Sequence, residues 1–157
     1  MAGAKEPVIF AECRPGDFIG QIGVAAGLMG SIAKLHDRDI AYFQNWIVPA
    51  IQHRQFGLFV TAAGGRPVGM VTWAYLAEDV ESRLALDGNY VLHSSEWKEG
   101  RNLWLLDFVA PFGHARSMMR HLAHQFVHDD RISWCRTNTL GRRHRYSYRK
   151  KTLQTAG

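Results

Sequence analysis

Cysteine is scarce in this sequence of 157 residues, which contains only two. Cys13 and Cys135 lie far apart, and neither belongs to a Cys-x-x-Cys pair. Such spacing supports neither a disulfide framework nor a zinc site. Because no disulfide is required, we expect a reducing, cytoplasmic location.

Long apolar runs are also missing. No stretch of about 18 consecutive apolar residues occurs, so no membrane-spanning helix is expected. The first residues, MAGAKEPVIFAECRPGDF, are interrupted by the charged side chains of Lys5, Glu6, Glu12 and Arg14. The sequence therefore lacks the uninterrupted apolar centre of a signal peptide.

Several motifs that define enzyme classes are absent. The sequence has no Gly-x-x-x-x-Gly-Lys-Ser/Thr phosphate loop, no Gly-x-Ser-x-Gly nucleophile elbow and no His-Glu-x-x-His metal motif. It also lacks the Arg/Gln-x-x-Gly-x-Gly/Ala loop by which many coenzyme A-dependent acetyltransferases hold pyrophosphate. We predict no metal site and no permanently bound cofactor. The PFGHA turn, residues 111–115, still places a glycine and backbone N–H groups at a helix start, where one phosphate can bind.

The composition is that of an ordinary globular domain, with 46% hydrophobic and 21% charged residues. The net charge is +5, and six Lys or Arg fall within RRHRYSYRKK, residues 142–151. This segment is either a solvated tail or a site for an acidic partner, such as nucleic acid, an anionic membrane or an acidic protein. We divide the chain into an N-terminal extension (1–16), one domain (17–141) and a basic C-terminal tail (142–157).

Two helices are predicted in the first third of the chain. Asp17 is the expected N-cap of a helix over residues 17–30. A second helix is indicated by apolar residues spaced by three or four positions, Ile40, Phe43, Ile47 and Ile51. Pro49 falls inside that pattern, so we expect the helix to kink or to end near Val48.

The remaining elements alternate between strand and helix. A hairpin of strands Phe56–Thr61 and Pro67–Leu76 turns at Gly64-Gly65. The later elements are a partly helical segment Leu84–Leu92, a strand Leu103–Val109, a helix Arg116–His128 and a strand in ISWCRTNT, to which the basic segment can add another. This order predicts an α/β fold with a mixed central sheet flanked by helices.

One carboxylate, Asp107, stands inside the apolar run LWLLDFV of a predicted strand. Burial of a carboxylate is costly unless the group is paired or hydrogen-bonded. Asp107 is either a structural acid that caps the following turn or pairs with an arginine, or a functional acid. Near the carboxyl end of its strand, it faces either the core or the kind of crevice in which ligands bind.

A functional acid needs a partner that titrates near neutral pH, and His36 in AKLHDRD can supply it. An Asp that orients a His and stabilises its charged form is a common general-base arrangement, although a lone histidine is more often structural or exposed. A competing group is formed by the histidines of the third predicted helix, His114, His121, His124 and His128. No cysteine or carboxylate cluster completes a metal site, so we interpret them as a solvated polar face.

Four segments of the chain, in order, are VPAIQHRQFGLFV, RPVGMVTWAYL, SEWKEGRNLW and NLWLLDFVAPFG. Together they resemble the sequence blocks of the RTX toxin-activating lysine acyltransferases, the hemolysin-activating type. The blocks occur in that family's order, and the resemblance covers about residues 20–126, most of the chain.

The resemblance implies a single GNAT-like α/β domain, usually a homodimer, in the bacterial cytoplasm. It also implies transfer of a fatty acyl group from acyl-acyl carrier protein to internal lysine ε-amines of a protoxin. The family's catalytic His and Asp fall on His36 and Asp107. By analogy with GNAT-like folds, a backbone N–H near Trp73 or Ala74 is expected to bind the thioester oxygen.

The chemistry of the implied reaction agrees with these assignments. A lysine ε-amine has a pKa of about 10.4, so a base must remove a proton before the amine attacks a thioester. His36 would be that base, and Asp107 would orient it and stabilise the imidazolium. The missing pyrophosphate loop fits a carrier-protein donor, which presents a single phosphopantetheine phosphate, and the basic surface fits an acidic carrier protein.

Two other functions stay open at this point. One is a coenzyme A-dependent N-acyltransferase that acts on a small amine. The other, to which we give little weight, is a nucleic-acid-binding module in which Arg and Tyr of residues 142–151 contact phosphates and stack on bases.

Overall fold

The computed structural model describes residues 6–11 and 16–149. One sheet contains, in chain order, β1 (Val8–Ala11), β2 (Phe56–Thr61), β3 (Pro67–Leu76), β4 (Asn102–Val109), β5 (Arg131–Thr137) and β6 (Arg143–Arg149). Neighbouring strands are antiparallel, except that β4 and β5 run parallel. The predicted α/β class with a mixed sheet is confirmed.

Helices cover both faces of this sheet. In the described part of the chain the α-helices are α1 (Phe18–Gly30), α2 (Ile40–Tyr42), α3 (Val48–Gln52), α4 (Glu78–Leu86) and α5 (Ala115–Gln125), and a short 3-10 helix spans Ser94–Trp97. The first core cluster, around Trp97 and Trp104, joins α1, α3 and α4 to one face, and a second around Phe59 and Met118 joins α5 to the other. No helix in residues 6–11 and 16–149 is both long and apolar enough to cross a membrane.

The helix start predicted at Asp17 is confirmed, because its carboxylate accepts a hydrogen bond from the Gly20 N–H at 3.2 Å. The second predicted helix is irregular. It comprises α2, a π-helical turn over Phe43–Ile47 and α3, in direct succession. Pro49 lies in the first turn of α3, directly after the π-helical turn. The Val48 N–H bonds to the Phe43 carbonyl, so the wide turn accommodates the proline and the helix continues past Val48.

The structure requires glycine at two positions, Gly65 in the hairpin turn and Gly100 where two backbone segments lie close together. The predicted hairpin is confirmed, and Gly65 in its turn has a φ of 61°, a conformation that favours glycine. Gly100, in the segment SEWKEGRNLW, donates its N–H to the Tyr75 carbonyl at 3.0 Å. A Cβ at Gly100 would lie 1.9 Å from the carbonyl carbon of Leu76, so only glycine fits there.

Two helices differ in extent from the sequence prediction. α4 begins at Glu78 instead of residue 84, because an acidic first turn favours a helix N-terminus and Val80 and Leu84 face the core. α5 ends at Gln125 instead of His128.

The chain ends also contribute strands. β1 lies within the segment assigned to the N-terminal extension, where its residues pair with β2. At the other end, Arg143–Arg149 is not a separate tail in the described residues but β6, paired with β5 over seven residues. Cys13, Lys150 and Lys151 lie outside the described residues.

β4 and β5 separate along their length. Their pairing is confined to Leu103 with Ile132 and Trp104 with Ser133. Beyond these residues β4 continues beside β3 and β5 continues beside β6. The two parallel strands therefore leave an opening between their carboxyl-terminal halves, the kind of place where ligands bind in α/β sheets.

A buried carboxylate connects β5 and β6 to α4. Glu81 of α4 accepts hydrogen bonds from Trp104 Nε1 at 2.8 Å, from Arg131 at 2.7 Å and from Arg145 at 2.5 Å. Arg145 also lies over the Trp104 ring, 5.3 Å from its centroid. These contacts hold the β5–β6 hairpin against the helical face on one side of the opening.

Candidate active site

Asp107 is enclosed by hydroxyl groups. It lies on β4 opposite Thr72 of β3, whose hydroxyl donates to Asp107 Oδ2 at 2.9 Å and accepts from the Asp107 N–H at 2.9 Å. The Tyr42 hydroxyl, at the end of α2, donates to the other carboxylate oxygen. Only 8% of Asp107 is exposed, and no ion pair involves it in the described part of the chain.

This environment changes the acidity of both partners. Burial raises the pKa of the Asp107 carboxyl above its ordinary value, while the hydrogen bonds from Tyr42 and Thr72 and the charge of Arg38 lower it in part. Burial, together with the adjacent Asp107 carboxylate, raises the pKa of the Tyr42 phenol well above its ordinary range. Tyr42 is therefore a neutral hydrogen-bond donor near pH 7 and not a base.

His36 lies on the exposed turn between α1 and α2. Its side chain is 54% exposed, and its Nε2 lies 2.9 Å from Asp37 Oδ1. Within residues 6–11 and 16–149 no hydrogen bond or ion pair joins His36 to Asp107. Asp107 instead bonds to Tyr42, and Arg38, two positions after His36, stacks on the Tyr42 ring at 4.3 Å from its centroid.

The two residues expected near the thioester oxygen lie at an irregularity of the sheet. The register between β3 and β4 shifts between Thr72 and Trp73. The Trp73 N–H donates to the Gln55 carbonyl at 3.1 Å, and Ala74 is fully buried opposite Trp104. In this conformation the Trp73 N–H is thus used within the fold.

A cavity of about 450 Å³ occupies the opening between β4 and β5. Leu105 and Leu106 of β4 and Cys135 of β5 contribute to its wall. Tyr42 also lines it, so the cavity lies beside the Asp107–Tyr42 pair. The cationic residues of the wall are Lys34, Arg38 and Arg143. The space can therefore accept a ligand that has both an apolar part and a negative charge.

The histidines of α5 are only partly the solvated face that we predicted. His121 stacks on Phe10 with ring centroids 5.5 Å apart and meets the edge of Phe59 at 5.7 Å. The prediction was wrong for His121, because α5 packs against β1 and β2, and for His114, which is buried at the start of α5. His124 and His128 are exposed, as predicted. In the part of the chain that the structure describes, no three His, Cys, Asp or Glu side chains are arranged to hold a metal ion.

Sequence reasoning missed Tyr42, Arg38 and Thr72. Thr72 could have been found, because an antiparallel pairing of β3 with β4 places it opposite Asp107. Tyr42 and Arg38 carry no comparable signal, since their positions near Asp107 depend on how α2 packs on the sheet.

The fold has counterparts among solved structures. An acetyltransferase of the GNAT family from Listeria monocytogenes aligns with a TM-score of 0.53 at 14% identity, over 84% of this chain and 78% of that chain. The loading GNATL domain of CurA from Lyngbya majuscula aligns with a TM-score of 0.53 at 10% identity, over 83% of this chain and 66% of that chain. The fold is thus GNAT-like, as the resemblance implied.

A family model describes the chain more closely. The model for the RTX toxin acyltransferase family matches residues 17–147. The chain therefore belongs to the RTX toxin acyltransferase family, and the resemblance that we drew from the four segments is confirmed.

Curated relatives agree with this membership. The RTX-II toxin-activating lysine-acyltransferase ApxIIC of Actinobacillus pleuropneumoniae is 28% identical over 108 residues, 69% of this chain and 66% of that protein. The lysine-acyltransferase RtxC of Vibrio cholerae is 30% identical over 96 residues, 60% of this chain and 61% of that protein. An uncharacterised protein of Synechocystis is 25% identical over 122 residues, 78% of this chain and 82% of that protein. The chain thus spans less than two thirds of the length of either named acyltransferase.

Proposed function

We propose that this chain is a protein-lysine acyltransferase that moves a fatty acyl group from acyl-acyl carrier protein to internal lysine ε-amines of a protoxin. Membership of the RTX toxin acyltransferase family supports acyl transfer. The names of both relatives support a lysine as acceptor, and that of ApxIIC also supports activation of a toxin. The observation that carries the proposal is the cavity between β4 and β5, which lies beside the buried Asp107–Tyr42 pair.

In the proposed reaction His36 is the general base. Its exposed ring can meet the ε-amine of a folded acceptor protein, and Asp37 beside Nε2 stabilises the imidazolium. His36 first removes one proton from the lysine ammonium group, and the neutral amine nitrogen then bonds to the thioester carbon. The carbon–sulfur bond then breaks, and the phosphopantetheine thiolate leaves and is protonated.

Asp107 supports this base indirectly in the proposed mechanism. Its bond to Tyr42, and the stacking of Arg38 on the Tyr42 ring, hold the segment that follows His36. We therefore treat Asp107 as a positioning residue. A backbone N–H near Trp73 or Ala74 remains our prediction for the group that binds the thioester oxygen.

The proposal also includes the acyl donor and the oligomeric state. A carrier protein is acidic, and the net charge of +5 on this chain favours its association. We further expect a homodimer in the bacterial cytoplasm, with no permanently bound cofactor.

The test is the intact mass of a candidate protoxin fragment after incubation with this protein and acyl-acyl carrier protein. We expect one fatty acyl increment per modified lysine. Replacement of a general base costs about 10²–10⁴-fold in rate, so His36→Ala should reduce the increment to near background. His124→Ala is the matched control, because His124 is an exposed histidine on α5, on the opposite face of the sheet.

Three other results would favour a different base or a different function. An increment that survives His36→Ala would retain the enzyme class and reject the proposed base. Transfer from acyl-coenzyme A to a small amine, without transfer from the carrier protein, would favour the coenzyme A-dependent function. Salt-sensitive binding of nucleic acid in the absence of any acyl transfer would favour the binding module.

A further inference from the structure

We propose that Lys34, Arg38 and Arg143 form a binding site for the single phosphate of a phosphopantetheine arm, inside the cavity between β4 and β5. The identity of the arm rests on the proposed acyl donor. The evidence for an anion site is the three positive charges in the cavity wall and the buried Nε of Arg143, which has no hydrogen-bond partner in the described residues.

The three cations come from two distant parts of the chain. Lys34 and Arg38 lie on the turn between α1 and α2, and Arg143 is the first residue of β6. They line one cavity, and no Asp or Glu is among the described residues of its wall. In the described residues none of the three forms an ion pair with a carboxylate. An anion in the cavity would offset the mutual repulsion of these like charges.

Neighbouring arginines on the same hairpin show a different arrangement. Arg131 of β5 and Arg145 of β6 both bond to the buried carboxylate of Glu81. The arginines that hold the hairpin in place therefore have a carboxylate partner within the fold. Arg143, two residues before Arg145, has none among the described residues, which distinguishes it from these two.

Arg143 carries the most specific indication of a ligand. Its Nε atom is buried and has no hydrogen-bond partner within the described residues. A Cβ on Gly88, another residue of the cavity wall, would lie 3.8 Å from Arg143 Nη1, so the guanidinium group is at the wall. A buried N–H donor without an acceptor is unfavourable, and a phosphate oxygen matches the planar guanidinium fork.

The apolar residues of the cavity wall indicate what kind of ligand carries the anionic group. Trp104, Leu105 and Leu106 supply apolar surface beside the cations, so the ligand has an uncharged arm as well as an anionic group. A phosphopantetheine arm has one phosphate, a long uncharged chain and a terminal sulfur. Because Tyr42 lines the same cavity, an arm held at the cations can extend its thioester toward the Asp107–Tyr42 pair.

The test compares phosphopantetheine with pantetheine, which lacks the phosphate, by titration calorimetry on the full chain. We expect the phosphorylated probe to bind about tenfold more tightly or better. Arg143→Gln should remove that difference and leave the affinity for pantetheine unchanged. Arg142→Gln, which removes the same charge from the adjacent exposed position, should retain it. Lys34→Gln is the second variant if Arg143→Gln fails to fold.

Several outcomes would overturn the site. These are equal affinities of the two probes for the wild type, or equal losses in the Arg142 and Arg143 variants. Binding of myristate, lost in Arg143→Gln, without binding of phosphopantetheine would assign the cations to a carboxylate instead. If the site is retained, competition with the bound probe identifies the source of the arm. Displacement by holo-acyl carrier protein indicates a carrier-protein arm, and displacement by coenzyme A alone indicates coenzyme A.

The site and the proposed function can fail separately. Phosphate-dependent binding without acyl transfer to any acceptor would retain the site and reject the function. Acyl transfer by Arg143→Gln with an unchanged KM for acyl-acyl carrier protein would retain the function and reject the site.

Discussion

Replacement of Glu81 should weaken the fold substantially, because one buried carboxylate serves three donors on β4, β5 and β6. Loss of one partner from a buried ion pair typically costs about 3–5 kcal/mol, since the remaining charges stay unpaired. The Glu81 side chain is 6% exposed, whereas those of Arg131 and Arg145 are 22% and 34% exposed. Because both arginines can reach solvent, we take the lower end, about 3 kcal/mol, for Glu81→Gln. For a chain of this length that corresponds to a decrease in Tm of about 6–12 °C.

Scanning calorimetry and urea unfolding measure this change, and the same helix offers a matched control. Asp79 pairs with Arg83 on α4 at 2.7 Å, but the two side chains are 73% and 50% exposed. Asp79→Asn should therefore change the free energy of unfolding very little, because solvent screens an exposed ion pair. A Glu81→Gln effect as small as that of Asp79→Asn would refute the conclusion that Glu81 holds the β5–β6 hairpin in place.

Three further predictions concern the fold and the buried acid. Gly100→Ala should destabilise the protein by about 3 kcal/mol or more in urea, because its Cβ would overlap backbone atoms of Leu76. By contrast, Gly23→Ala on α1, where a Cβ meets nothing within 4 Å, should stabilise it by about 0.5–1 kcal/mol. Burial raises the pKa of Asp107 in the folded state, so its stabilising contribution is present at low pH and is lost as the pH rises through the folded-state pKa. The free energy of unfolding of the wild type, relative to Asp107→Asn, should thus fall from about pH 4 upward, and a constant or rising difference would contradict this. Tyr42→Phe removes the donor to one Asp107 oxygen; thermal unfolding should show a loss of about 1–3 kcal/mol, and acyl-transfer assays a lower kcat with little change in KM.

Much of the secondary structure could be predicted because its causes are local. The Asp17 cap, the Gly64-Gly65 turn and the apolar strand around Asp107 each depend on residues within a few positions of one another. Residues 143–149 were harder to assign, since a run of Arg and Tyr is compatible with both a solvated tail and a strand. Pairing with β5 made them a strand, and that pairing depends on the rest of the sheet.

The candidate site could be predicted only in part. The sequence indicated that Asp107 is buried and that His36 could be exposed, and the structure agrees on both points. The contacts of Asp107 with Tyr42, 65 positions away, and with Thr72, 35 positions away, had no counterpart in the sequence pattern apart from a possible strand register.

The family, the α/β class and the presence of an acid inside a buried strand could all be inferred from the sequence, because motifs, periodicity and turn residues each occupy short stretches of it. The groups that surround that acid and the cations that face the cavity are instead set by how distant elements pack together. Tyr42 reaches Asp107 through the packing of α2, and Arg143 joins Lys34 and Arg38 through the separation of β4 from β5. Such contacts depend on packing and sheet register across the whole chain, and no short segment of sequence specifies them.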